Sequence, residues 1–203
     1  SPINPADINT IEGVYPSPNP QTDAAAKSLR QSHYFPECTI GGSEGVGTVT
    51  HSRCSSFKVG DVVLPTLPGM GLWRSQMTAP ASRFFHLPKE GLGLLSAATI
   101  AVNPCTAFRM LSDFVTLEDG DLVIQNGGGS GVGLMVSQLA ARKGVACVSI
   151  VRRGKRTEEE FEKLRDYLLV VGRAALVWEE ERLIGDRDAV KEFLEEVKAL
   201  GNG

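Results

Sequence analysis

The chain has 203 residues, 42% of them hydrophobic and 22% charged, enough for one or two domains with a real core. A net charge of -3 with no basic stripe or interleaved aromatics excludes a nucleic-acid footprint, and no apolar run is long enough to span a bilayer, so a soluble protein is expected. Cys38, Cys54, Cys105 and Cys147 make no C-x-x-C pair and have no histidine at ligand spacing, which argues for free thiols in a reducing compartment over a disulfide framework or structural zinc. The chain opens at Ser1-Pro2-Ile3 without an initiator methionine or signal peptide, as a processed or cut chain would.

Residues 1 to 36 read as loop, because the prolines at positions 2, 5, 16, 18, 20 and 36 break any long element, although Asp23 to Arg30 is helix-compatible. Tyr15, taken alone, is a loop residue with its hydroxyl in water; tyrosine is also one of several side chains able to act as a general acid. Gly41 to Thr50 and the run ending Val62-Val63-Leu64-Pro65 read as strands of a small β-rich domain, with Gly60-Asp61 as the turn into the second. Trp73, set among glycines, either lines a cleft or packs in the core. Another strand is expected between Ser82 and Pro88, helical material from Leu92 to Thr99, and then a helix to about Asp113. Asn103 is the N-cap of that helix and Pro104 its first residue.

The most informative stretch follows. Asp121-Leu-Val-Ile-Gln-Asn126 is a short β-branched run, and Gly127-Gly-Gly-Ser-Gly-Val-Gly133 succeeds it at once. Leu134, Met135, Val136, Leu139 and Ala140 then recur at helical spacing until Arg142-Lys143-Gly144 closes the helix, and Ala146 to Val151 reads as a second strand. Such a turn lets a diphosphate approach backbone N–H groups at a helix N-terminus; a Cβ at Gly131 or Gly133 would hold it off or push the helix from the sheet. The spacing is Gly128-x-x-Gly131-x-Gly133 rather than G-x-G-x-x-G, and an ordinary βα turn carries the same pattern.

The second strand ends in Arg152-Arg153-Gly154-Lys155-Arg156, with no carboxylate before Glu158. In dinucleotide folds an acid at this place binds the ribose 2′-hydroxyl of NAD and arginine accommodates the 2′-phosphate of NADP, so the tip points to NADPH; the alternative is a solvated basic turn. Thr157-x-x-Glu160 is a capping box for a helix through Leu169, and Ala174 to Trp178 is a third strand. A last helix is expected to bury Val190, Phe193, Leu194, Val197 and Leu200. The expected fold class is thus α/β: a partial Rossmann domain, residues 101–203, holding the first half of a doubly wound parallel sheet after a β-rich domain at 1–100.

Several segments resemble the medium-chain dehydrogenase/reductase superfamily and, within it, the mitochondrial trans-2-enoyl-CoA (enoyl-acyl-carrier-protein) reductases. They are Ser1-Pro-Ile-Asn-Pro-Ala-Asp-Ile-Asn9, Gly41-Gly-Ser-Glu-Gly45, Gly71-Leu-Trp-Arg74, Val102-Asn-Pro-Cys-Thr-Ala-Phe-Arg-Met-Leu111, and Val123-Ile-Gln-Asn126 with Ser130-Gly-Val-Gly133, in the family's order. The resemblance covers residues 1 to about 155. It implies a GroES-like catalytic domain before the Rossmann half, NADPH as cofactor, and reduction of an enoyl-CoA or enoyl-acyl-carrier-protein thioester in the mitochondrial matrix. It also implies Tyr15, in the family's Gly-x-Tyr context, as the acid. Asn103 would meet the nicotinamide end, Gly129, Ser130, Gly131 and Val132 the diphosphate, and Arg152, Arg153 and Gly154 the 2′-phosphate. Family members are commonly dimers, so a homodimer is implied.

The zinc alcohol dehydrogenases of the superfamily place a histidine in Gly-His-Glu, where this chain has Gly42-Ser43-Glu44, and an early cysteine where it has Asn4-Pro5-Ala6-Asp7; no zinc-ligand set remains and no metal is expected. Two alternatives stay open. One is a zinc-free quinone oxidoreductase of the same superfamily. The other is an inactive, reductase-like structural subunit of a larger mitochondrial assembly, with Ser17 to Glu37 and a sheet edge against partners, favoured by the missing second half of the nucleotide fold.

Overall fold

A computed structural model describes residues 1–15, 40–88 and 90–201. The chain divides into two compact units, Ser1–Val102 and Asn103–Gly203. The Asp23 to Arg30 helix, the Ser17 to Glu37 segment and Cys38 lie outside the described residues.

The first unit contains a helix where loop was expected. Helix α1, Pro5–Ile11, starts from Asn4, whose N–H donates to Asp7 Oδ2 at 3.0 Å. Proline is compatible with a first helical turn, whose N–H groups have no intrahelical acceptor in any case, so Pro5 opens this element instead of breaking it. A three-stranded antiparallel sheet follows in the order β1 (Gly47–Thr48), β2 (Val62–Pro65), β3 (Phe84–His86). The strand expected over Gly41 to Thr50 is therefore only two residues long. Its earlier part instead receives Trp73: the backbone N–H groups of Leu72 and Trp73 donate to the carbonyls of Gly42 and Gly41, and a Cβ on Gly42 would stand 2.7 Å from the indole. The half-buried Trp73 thus packs on bare glycine backbone. Helix α2, Leu94–Ala98, ends the unit.

The second unit is half of a doubly wound fold. Helix α3 (Asn103–Met110) begins one residue before the expected first position Pro104, so Asn103 is its first helical residue and not its N-cap, and it ends three residues before Asp113. Then β4 (Leu122–Asn126), α4 (Gly131–Arg142), β5 (Ala146–Val151), α5 (Glu158–Val170) and β6 (Leu176–Glu179) alternate, and the strands pair in parallel in the order β4-β5-β6. Gly144 closes α4 at φ 73, and Thr157 with Glu160 forms the expected capping box of α5. Helices α6 (Glu180–Gly185) and α7 (Arg187–Leu200) complete the unit.

Alternation along β5 assigns the two faces of the sheet. Cys147 packs with Ala107, Val136 and Ala140 of α3 and α4, and Val151 with Phe161 and Leu168 of α5. Val148, on the opposite face, packs with Trp178, Ala189 and Phe193, so α7 covers the other side. Leu194 departs from the expected helix face: it is exposed, and the buried stripe runs instead through Ala189, one turn before Phe193. Among the described residues no helix is long and apolar enough to cross a membrane.

Candidate functional site

The candidate site of the second unit lies at the C-terminal ends of β4 and β5. β4 delivers Asn126 to Gly127, which turns at φ 65, and the next residues run over the end of β5, where Gly128 N–H donates to the Ile150 carbonyl at 3.1 Å. Gly128, Gly131 and Gly133 each have a separate reason to lack a side chain. A Cβ on Gly128 would meet Ser149 Cβ at 2.5 Å, and one on Gly133 would stand 2.6 Å from the Gly127 carbonyl oxygen and 2.8 Å from Gly128 Cα. Gly131 faces Asn103, with 2.6 Å between such a Cβ and Asn103 Nδ2. Asn103 and the glycine turn, expected to share a ligand, are in contact.

Ser130 caps α4, its Oγ accepting from Gly133 N–H at 3.1 Å. Gly129, Ser130 and Gly131 are exposed and Val132 is half-buried, so the first turn of a twelve-residue helix opens to solvent with N–H groups that no helix satisfies internally. An extended anion can be held there by peptide dipoles.

A polar knot supports the turn from below. The Gln125 amide nitrogen lies 2.9 Å from the Gly133 carbonyl, 2.9 Å from Ser137 Oγ, 3.0 Å from Ser149 Oγ and 3.4 Å from Cys147 Sγ. Its two N–H groups serve two of these acceptors at a time. Ser137 and Ser149 are fully buried, and burial pushes the Cys147 thiol up from its ordinary range. Sequence patterning gives no sign of this knot, since glutamine, serine and cysteine in a strand read as interruptions of the apolar run. Gly133→Ala is expected to lower stability by about 1–3 kcal/mol, because the clash is with backbone that cannot swing aside. Urea denaturation checks this, and an unchanged midpoint would remove the close-packing argument.

The basic tip of β5 stands beside the turn, but its arginines are engaged. Arg152 pairs with Glu180 at 3.1 Å and Arg153 with Glu158 at 2.8 Å. Glu181 accepts from the backbone N–H groups of Arg153 and Gly154, both at 3.0 Å. Lys155 and Arg156, which have no carboxylate partner among the described residues, line a concavity of about 560 Å³ with Glu160. Glu180 and Glu181 were outside the sequence-predicted site; their only signal is the acidic run that ends the third strand.

In the first unit, buried Asp7 accepts from Ser43 Oγ at 2.7 Å, and Asn4 Nδ2 donates to buried Glu44 at 3.0 Å. These bonds fix the start of α1. At its far end Gly13 turns at φ 75, and the N–H groups of Val14 and Tyr15 both donate to the Asn9 carbonyl. Tyr15 is 49% exposed and its hydroxyl has no hydrogen-bond partner among the described residues. Among the described residues no three metal-ligating side chains converge.

No family model matches the chain. Among curated proteins it is 39% identical over 184 residues to the human mitochondrial enoyl-[acyl-carrier-protein] reductase, a match covering 89% of this chain and 43% of the relative. Among solved structures it matches the mitochondrial 2-enoyl thioester reductase Etr1p/Etr2p heterodimer from Candida tropicalis at TM-score 0.80 and 32% identity, over 99% of this chain and 55% of that one. The Etr1p complex with NADP and crotonyl-CoA matches at TM-score 0.81 and 31% identity, with the same coverage. The chain thus spans about half the length of the proteins it matches or less.

Proposed function

We propose, for a chain homologous to the mitochondrial enoyl-[acyl-carrier-protein] reductases across 89% of its length, that it contributes to NADPH-dependent reduction of trans-2-enoyl thioesters in mitochondria. The observation that carries the reading is the open glycine turn at the N-terminus of α4, with Asn103 against Gly131 and a basic strand tip beside it. These residues fit a dinucleotide: Gly129 to Val132 take the diphosphate, Asn103 borders the nicotinamide end, and the Arg152-Arg153-Gly154 tip with Lys155 and Arg156 takes the 2′-phosphate. The first unit supplies part of a GroES-like catalytic domain, and the second the first half of the nucleotide domain.

A nicotinamide cofactor held at this turn would supply the hydride for the β-carbon of the enoyl thioester. The work of this chain's residues is to hold the substrate and move a proton. The Tyr15 hydroxyl donates a hydrogen bond to the thioester oxygen, where negative charge develops, and provides the proton that ends on the α-carbon. Its exposed hydroxyl, without a partner among the described residues, suits that role. The Candida tropicalis heterodimer supports assembly from two reductase chains.

Titrating the full-length protein with NADPH and with NADH by nucleotide fluorescence, then adding crotonyl-CoA, tests the reading. NADPH-selective binding followed by cofactor oxidation is the expected result. Absence of any nucleotide binding would overturn it and favour the structural-subunit alternative.

A further inference from the structure

The tip of β5 is gripped by one side chain. Beyond Val151 the backbone turns through Arg152, Arg153 and Gly154, the last at φ 60, and the two adjacent N–H groups of Arg153 and Gly154 converge on Glu181. Oε2 accepts from Arg153 and Oε1 from Gly154, both at 3.0 Å, so one carboxylate fills a two-donor backbone nest. Those bonds, Gly154 first, hold the Glu181 carboxyl below the usual carboxylate range. The topology delivers this residue. β6 lies parallel to β5 with Val151 opposite Glu179, and α6 begins at the next residue, so Glu180 and Glu181 emerge level with the turn.

The side from which the carboxylate arrives decides its role. β5 is the middle strand, with the glycine turn on its β4 flank, where a Cβ on Gly129 would be 3.3 Å from Val151, and Glu181 on its β6 flank. The grip therefore comes from the opposite flank of β5 to the glycine turn. Its effect is to fix the backbone from which Lys155 and Arg156 project, while Arg156 bonds back to the carbonyls of Arg152 and Arg153 at 3.2 and 3.3 Å.

We infer that Glu181 is a positioning residue for cofactor selectivity: by taking both N–H groups at the tip of β5 it pre-forms the basic turn that receives a 2′-phosphate. The inference rests on the nucleotide reading above. It concerns a residue that touches neither the diphosphate turn nor the reacting atoms, so its signature is selectivity, with no change in the affinity common to both nucleotides.

The test compares wild type, Glu181→Ala and Glu181→Gln in the full-length protein, titrated with NADPH, NADH and the fragment 2′,5′-ADP. Glu181→Ala is expected to weaken NADPH and 2′,5′-ADP by about tenfold, as losing a charged acceptor on two peptide donors would, and to leave NADH within about twofold. Glu181→Gln, whose amide oxygen can serve one N–H but whose nitrogen opposes the other, falls between. Equal weakening of NADPH and NADH, unchanged NADPH affinity, or tighter NADPH binding, as from removing a competing anion, would each overturn the inference while leaving the nucleotide reading in place. Wild-type protein that binds none of the three ligands would overturn that reading, and the inference with it.

Discussion

Tyr15→Phe is expected to lower the rate of enoyl-thioester reduction by the full-length protein by about a hundredfold or more, the contribution of one positioned general acid, while NADPH affinity stays unchanged. The substitution is clean for a structural reason. Tyr15 is 49% exposed, its hydroxyl has no partner among the described residues, and its backbone is held by the Asn9 carbonyl irrespective of the ring. Removing an exposed hydroxyl that bonds none of the described residues is expected to change folding stability by no more than about 0.5 kcal/mol, so a loss of rate is a loss of chemistry. The same variant separates the two enzymatic readings. A quinone reductase with no need of this acid would keep its rate with crotonyl-CoA replaced by a quinone, whereas an enoyl reductase would lose turnover with intact nucleotide binding. Full crotonyl-CoA turnover by the variant would dismiss Tyr15 from the mechanism.

The parts of the fold legible in the sequence are those set by local chemistry. The β5 strand was readable to the residue, because a strand buried on both faces of a parallel sheet is a near-continuous apolar run, here interrupted by Ser149 and bounded by Gly144 before and Arg152 after. The Thr157 capping box was legible for the same reason, a reciprocal bond between residues three apart. Helix α1 was hidden by counting Pro5 as a breaker, though Asn4, Pro5 and Asp7 together spell a helix start. Leu194 fits the periodicity of α7 and still faces solvent, because α7 meets the sheet along the narrower stripe of Ala189, Phe193 and Val197. At the site, the glycines and the basic tip are a contiguous motif and could be read. The carboxylate on that tip could not, since Glu181 lies 28 residues from Arg153 in sequence and only the parallel pairing of β5 with β6 brings them together.

Trp178→Ala is expected to destabilise the protein by about 3–5 kcal/mol, read as a fall in the urea midpoint. Trp178 is buried on the α7 face of the sheet. Its ring meets Phe193 edge-on at 5.5 Å between centroids, Arg182 lies 4.6 Å over it, and Nε1–H donates to Glu196 at 2.7 Å. Alanine removes the ring from the cluster that joins β5, β6 and α7, and leaves the surrounding side chains to collapse only in part. Trp178→Phe keeps most of the ring volume while giving up the hydrogen bond, and is expected to lose less than half as much, on the order of 1–2 kcal/mol. Equal losses for Ala and Phe would move the weight from packing to the Glu196 bond. The effect extends to the site because Trp178 is followed directly by Glu179, Glu180 and Glu181. A β6 that loses its seat against α7 no longer holds the acidic run level with Val151, so under conditions where the Ala variant is still folded its NADPH selectivity should weaken in the direction of Glu181→Ala. The buried ring on one face of the sheet and the basic turn at its tip are thereby coupled through three consecutive residues.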